Sequence, residues 1–176
     1  PSGEWARAED TTRGDQSRGE RGWINEHKGV IASWEDFERY PWPDGRTWNT
    51  ERLEWLERNL PDDMCLAGRG GHFCEYLCWL MGYETLCLTL HDQPDLVEAL
   101  RRRILELEEA ACRVVLQSPR VKAFWGSDDM GFKTQLMVSP DDTRRLVLSG
   151  HKRLAEVTHQ AGRQYWLHAC GARQAI

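Results

Sequence analysis

The side chains best suited to chemistry lie near the end of the chain, in Arg163-Gln-Tyr-Trp-Leu-His168-Ala-Cys170-Gly171. This stretch reads as a short buried strand that ends in a polar turn. Side chains two apart on a strand point the same way. His168 and Cys170 are therefore expected to face one side together, with Trp166 behind them. An imidazole and a thiol side by side at a strand end supply two of the three protein ligands of a catalytic zinc site. The bland alternative is a hydrogen-bonded histidine beside a cysteine that packs as a small hydrophobe.

A second group is the acid pair Asp128 and Asp129 in Gly126-Ser-Asp-Asp-Met-Gly131, a loop that follows an apolar run. Either acid could cap local backbone N–H groups. Alternation lets only one of them point toward a site, and the expectation is Asp129. There it would bind a cationic or N–H-bearing substrate or orient a metal ligand. The third group is Arg69, Phe73 and Glu75, which follow a glycine-rich turn, Gly68-Arg-Gly-Gly71, where backbone can approach a ligand closely. They read either as residues lining a site mouth or as an ordinary helix start.

These residues need a scaffold. Apolar runs at 64–67, 121–125 and 163–168 read as buried strands. Helices are expected at 35–40, at 51–59, from the glycine turn to Met81, at 95–117 and at 140–161. Ser33, Thr50 and Ser139 stand where N-caps belong, and Pro140 suits a first helical position. In the longest helix Leu96, Leu100, Ile104, Leu107, Ala111 and Val114 form the inner stripe, while Glu106 to Glu109 read as its wet face. Buried strands alternating with helices, without hairpin signals, argue for parallel βα units. The glycine turn, the acid pair and the His-x-Cys pair then fall at the C-terminal ends of the strands, the end that carries chemistry in βα barrels and open parallel sheets alike.

With 176 residues the chain is one domain by length. A formal net charge of −5 gives no basic footprint for nucleic acid. No apolar run has the length of a membrane span, and no signal peptide is evident. The six cysteines lack the dense spacing of a secreted disulfide scaffold and read as reduced thiols of a cytoplasmic protein. All but Cys170 read as packing residues, with Cys74 and Cys78, one helical turn apart, the only other candidate metal pair. His151 and His159 are expected on a helix face turned away from the site. The nine tryptophans suggest buried or half-buried anchors. Residues 1–28 are polar and read as a mobile lead-in to a domain at 29–176, with Trp5 and Trp23 as candidate docking points. The chain reads as an internal piece of a longer protein.

From about Gly29 onward the chain resembles the uroporphyrinogen decarboxylase superfamily. The resemblance is carried by Ser33-Trp-Glu-Asp-Phe-Glu-Arg-Tyr-Pro-Trp-Pro43, Trp79-Leu-Met-Gly-Tyr-Glu84, Asp92-Gln-Pro-Asp-Leu-Val97, Asp128-Asp-Met-Gly131, Ser139-Pro140 and His168-Ala-Cys-Gly171. It implies a (β/α)8 TIM barrel, here an incomplete one of about three to four βα units. One branch of the family removes carboxylates from uroporphyrinogen without a cofactor. Another is zinc-dependent and moves methyl groups between corrinoid proteins and thiols or other acceptors. In that branch a His-x-Cys pair and a more distant cysteine hold the metal. The pair here is His168 and Cys170, and the resemblance places the distant cysteine beyond Ile176. The decarboxylases carry a tyrosine four residues before a helix-ending glycine; with Gly82 in that role the position holds Cys78. Together these features favour a zinc methyltransferase working with a corrinoid partner over a decarboxylase or a non-catalytic fragment.

Overall fold

The computed structural model describes residues 27–176, so all of the lead-in but its last two residues, with Trp5 and Trp23, lies outside the described residues. Three parallel strands form one sheet in the order β1-β2-β3: β1 (Leu66–Gly70), β2 (Val121–Ser127) and β3 (Gln164–His168). Helices α1 (Trp34–Arg39) and α2 (Glu51–Asn59) precede the sheet. Between β1 and β2 run α3 (Phe73–Met81), α4 (Tyr83–Asp92) and α5 (Pro94–Val115). Between β2 and β3 a short α6 (Pro140–Asp142) continues through a π-helical stretch (Thr143–Leu148) into α7 (Ser149–Gln160). The chain is thus mixed α/β with a small parallel sheet, and no helix among the described residues is long and apolar enough to cross a membrane.

Local chemistry accounts for most element ends. The Ser33 hydroxyl accepts the Asp36 N–H, and Ser139 accepts that of Asp142. Pro94 and Pro140 occupy first-turn positions, where a missing N–H costs nothing. Gly82, with φ of +77°, ends α3 and starts α4 at once. Thr50 does not cap α2 as expected: it sits in helical conformation and its hydroxyl donates to the Glu54 carboxylate, while Asn49 Oδ1 accepts the Glu51 N–H. Helix α4 was not among the expected elements. Its run carries two threonines and a cysteine in place of a clean leucine stripe, and just two of its residues, Leu86 and Thr89, are buried.

The core lies between the sheet and α3, α5 and α7. Phe73, Leu77, Leu80, Leu100, Ile104, Phe124, Leu146, Val147 and Leu154 are all buried in it. Along α5 the buried stripe runs Leu96, Leu100, Ile104 and then Glu108, Cys112 and Val115. Glu108 was expected in water, but 3.6 residues per turn carries the stripe onto it, where the Gly71 N–H meets its carboxylate at 2.6 Å.

Two strand expectations are corrected. Gly68 and Gly70 are not part of a turn; they lie within β1 and face the helices. A Cβ on Gly68 would stand 2.6 Å from Val115 Cγ1, and one on Gly70 2.7 Å from Glu108 Oε2, so both glycines make room for packing rather than for a ligand. β3 is not buried. Among the described residues it forms one edge of the sheet, with Trp166 and Leu167 half exposed to solvent.

Strand alternation gives the sheet two unlike faces. Gly68, Gly70, Phe124, Gly126 and Tyr165 face the layer of α5 and α7. The register aligns Arg69 with Trp125 and Trp125 with Trp166, and this row is exposed on the opposite face. Several of the tryptophans therefore stand in water: Trp34, Trp55, Trp125 and Trp166 are exposed, whereas Trp42, Trp48 and Trp79 are half-buried.

Candidate metal centre

Parallel register brings the site together. Ser127 pairs with His168 at the ends of β2 and β3, and the Asp128 N–H donates to His168 O at 3.0 Å, carrying the ladder one step further. Alternation then divides the two acids. Asp128 and Ala169 turn toward the helices and are buried. Asp129 and Cys170 turn with His168 to the open face. The expectation that Asp129 is the acid at the site agrees with this placement.

Cys170 Sγ lies 3.4 Å from His168 Nε2, and the Cys170 N–H donates to Asp129 Oδ1 at 2.9 Å. One oxygen, one nitrogen and one sulfur from Asp129, His168 and Cys170 all fall within 4.8 Å of one another and reach solvent. Trp125 stands edge-on to the His168 ring, 6.4 Å between centroids. Hydrogen bonding to Asp129, followed by its charge, pushes the Cys170 thiol above its ordinary value. A thiol held protonated in this way is a poor free nucleophile. A divalent cation among the three groups would reverse that balance, because coordination deprotonates a thiol. The donor set of imidazole, thiolate and carboxylate suits zinc.

The other expected residues lie elsewhere. Phe73 does not line a mouth; it is 1% exposed in the core, edge-on to the His151 ring at 5.0 Å. Glu75, half-buried on the first turn of α3, bonds His72 Nδ1 at 2.8 Å. Burial pulls the His72 imidazole down, but the bond and charge of Glu75 outweigh it and leave it above its ordinary value. His72 thus has Glu75 as its partner, three residues along the chain. Arg69 is exposed in the row with Trp125 and Trp166, on the same sheet face as His168. Cys74 is buried, and its bond with Cys78 followed by burial raises its thiol well above the ordinary range, so Cys74 packs as a neutral thiol.

Asp128 sits at the centre of a buried network just behind the site. Its carboxylate accepts the Cys74 and Glu75 N–H groups at 2.9 and 3.0 Å, capping α3 from a distant strand end. Its Oδ2 lies 3.0 Å from His151 Nε2, and His151 Nδ1 lies 2.7 Å from the Tyr165 hydroxyl. His151 was expected on the surface and is instead 3% exposed. The cause is Gly150: a Cβ there would stand 2.6 Å from Phe73, and its absence lets α7 sink far enough to bury the next residue. A glycine inside an otherwise helical run was the available signal. His159, by contrast, is exposed as expected.

The chain matches no protein-family model, no curated protein and no solved structure.

Proposed function

We propose that this chain is a barrel-forming member of the uroporphyrinogen decarboxylase superfamily, of the zinc-dependent kind that transfers methyl groups with a corrinoid protein as partner. The observation that carries the reading is the 3.4 Å approach of His168 Nε2 and Cys170 Sγ at the C-terminal end of a parallel strand. Sheet order supports the barrel. Strands in sequential order, joined by right-handed crossovers, place their helices on one face. Here α5 and α7 pack on one face and the row of Arg69, Trp125 and Trp166 is left on the other, as the inner wall of a barrel would be. A doubly wound sheet reverses its strand order and covers both faces.

Zinc bound at this site would supply Lewis-acid activation of a thiol, holding it as thiolate. The chain's own residues do the rest. Cys170 and His168 present their donor atoms from neighbouring same-face positions. Asp129 fixes the Cys170 backbone through its N–H. Asp128, buried and bonded on three sides, clamps the β2 end to α3 and α7, so that the adjoining Asp129 has a rigid base. Trp125 and Trp166 put apolar surface on the same open sheet face as the donors, where a methyl-bearing partner could dock.

The test is methyl transfer itself. The chain, loaded with zinc, is mixed with methylcob(III)alamin and a small thiol. The expected products are cob(I)alamin and the methyl thioether, formed in a zinc-dependent way and lost in Cys170→Ser. Release of carbon dioxide from uroporphyrinogen, with no methyl transfer, would replace this reading with the decarboxylase.

A further inference from the structure

We infer that Asp129 is a third protein ligand of the metal centre, so that His168, Cys170 and Asp129 form a nitrogen, sulfur and oxygen set with the fourth position open to a thiol. This rests on the metal reading above and departs from the resemblance, which assigns the third position to a distant cysteine. Three independent features of the chain support it.

The first is register. Once Ser127 pairs with His168 and the Asp128 N–H continues the ladder, Asp129 and Cys170 must lie side by side on one face, each two residues past a paired position. The second is spacing. Two donors on one tetrahedral zinc, each about 2.0–2.3 Å from the ion, stand roughly 3.5 Å apart. The imidazole and sulfur are already at 3.4 Å, and all three donor atoms lie within 4.8 Å, so small side-chain rotations bring the carboxylate in.

The third feature is the fixing of the two loops to each other. Gly171, with φ of +84°, packs against the Gly131 carbonyl so closely that neither backbone leaves room for a Cβ at 171. The Ala172 N–H then donates to Phe132 O at 2.8 Å. This seam lies one residue past Cys170 and two past Asp129, and it holds their backbones at a set distance. A site in which three donors arrive from two loops needs such a seam, since a ligand carried by a free loop would lose affinity to ordering.

Two anionic ligands and one neutral one would offset the charge of a divalent ion, leaving a neutral centre able to accept a thiolate. The experiment is a cobalt(II) titration of the 176-residue chain, read by its thiolate-to-metal charge-transfer absorption, with Asp129→Ala, Asp129→Asn and Asp129→Cys beside the unaltered chain. The unaltered chain is expected to bind one equivalent. Asp129→Ala and Asp129→Asn should each weaken binding by more than about 100-fold, beyond the loss expected when a residue merely orients a ligand. Asn keeps an acceptor for the Cys170 N–H, so its failure isolates ligation from hydrogen bonding. Asp129→Cys should restore affinity and raise the charge-transfer intensity about twofold, from one thiolate to two. Equal affinity in the unaltered chain and Asp129→Asn, or no added intensity in Asp129→Cys, would overturn the assignment while leaving the metal centre standing. No cobalt bound by the unaltered chain would overturn both.

Discussion

Asp128 Oδ2 and His151 Nε2 lie 3.0 Å apart with both side chains buried, and the same carboxylate caps the first turn of α3. One side chain therefore ties the end of β2 to two helices that are distant in sequence. Removing it strands an imidazole and two backbone N–H groups in the interior. Asp128→Ala should cost about 3–5 kcal/mol, because several donors lose their acceptor at about 1–3 kcal/mol each. Asp128→Asn, which keeps an acceptor, should cost clearly less. Urea unfolding of the two variants checks this, and equal losses would mean that the acceptor is not what matters.

Gly126 and Tyr165 form a second coupled pair. A Cβ on Gly126 would overlap the Tyr165 hydroxyl, and one on Gly71 would stand 3.2 Å from it, so a glycine in β2 and one just past the end of β1 make the space in which that hydroxyl meets His151. Gly126→Ala should destabilise by about 1–3 kcal/mol through overpacking. Tyr165→Phe removes the obstructing oxygen and should recover part of that loss. The double-mutant cycle should show coupling of at least about 0.5 kcal/mol, as contacting residues do. Simple additivity would show that the hydroxyl is not the obstacle.

Glu108 gives the fold a pH signature. Burial raises its carboxyl above the ordinary value, although the Gly71 N–H and the His72 charge oppose the shift. Over the window just above the usual carboxylate range, the folded state keeps a proton that the unfolded chain has released. Stability must therefore fall as pH rises through that window. Glu108→Gln preserves an acceptor for Gly71 and should flatten this part of the stability–pH curve. A curve unchanged by the substitution would refute the assignment.

The Ser139 hydroxyl accepts the Asp142 N–H at 3.1 Å and donates to the Asp142 carboxylate at 2.7 Å. This bond, with Arg145 beside it, holds the Asp142 carboxyl below its usual range. Ser139→Ala should lower stability by about 1 kcal/mol, the typical worth of an N-cap, with the loss seen as a shift in the denaturant midpoint.

Sequence patterning carried the strand–helix alternation, the parallel sense and the placement of Asp129, His168 and Cys170 at strand ends, because periodicity and capping are local properties. Ser33, Ser139 and Pro140 mark their helix starts for that reason. That Asp128 and Asp129 face opposite ways was legible, since strand alternation separates neighbours, but which of them turns outward is set by the pairing of Ser127 with His168.

What could not be read was set by partners far along the chain. Glu108 looks like one acid in a charged run until Gly71 and Tyr76 are placed around it. His151 looks like surface until Gly150 lets α7 descend onto Phe73. Gly68 and Gly70 look like a ligand-binding turn because a glycine that admits a helix and one that admits a substrate are identical in sequence. Phe73 was drawn to the site by proximity to that turn, and its side chain instead fills the core.

Zinc stoichiometry decides whether His168 and Cys170 hold a metal; it is measured by elemental analysis after equilibrating the chain with zinc and removing the excess. One zinc per chain, falling to none in Cys170→Ser, is the predicted result. Zinc content that is the same in the two proteins, whether one equivalent or none, would contradict a metal centre built on His168 and Cys170.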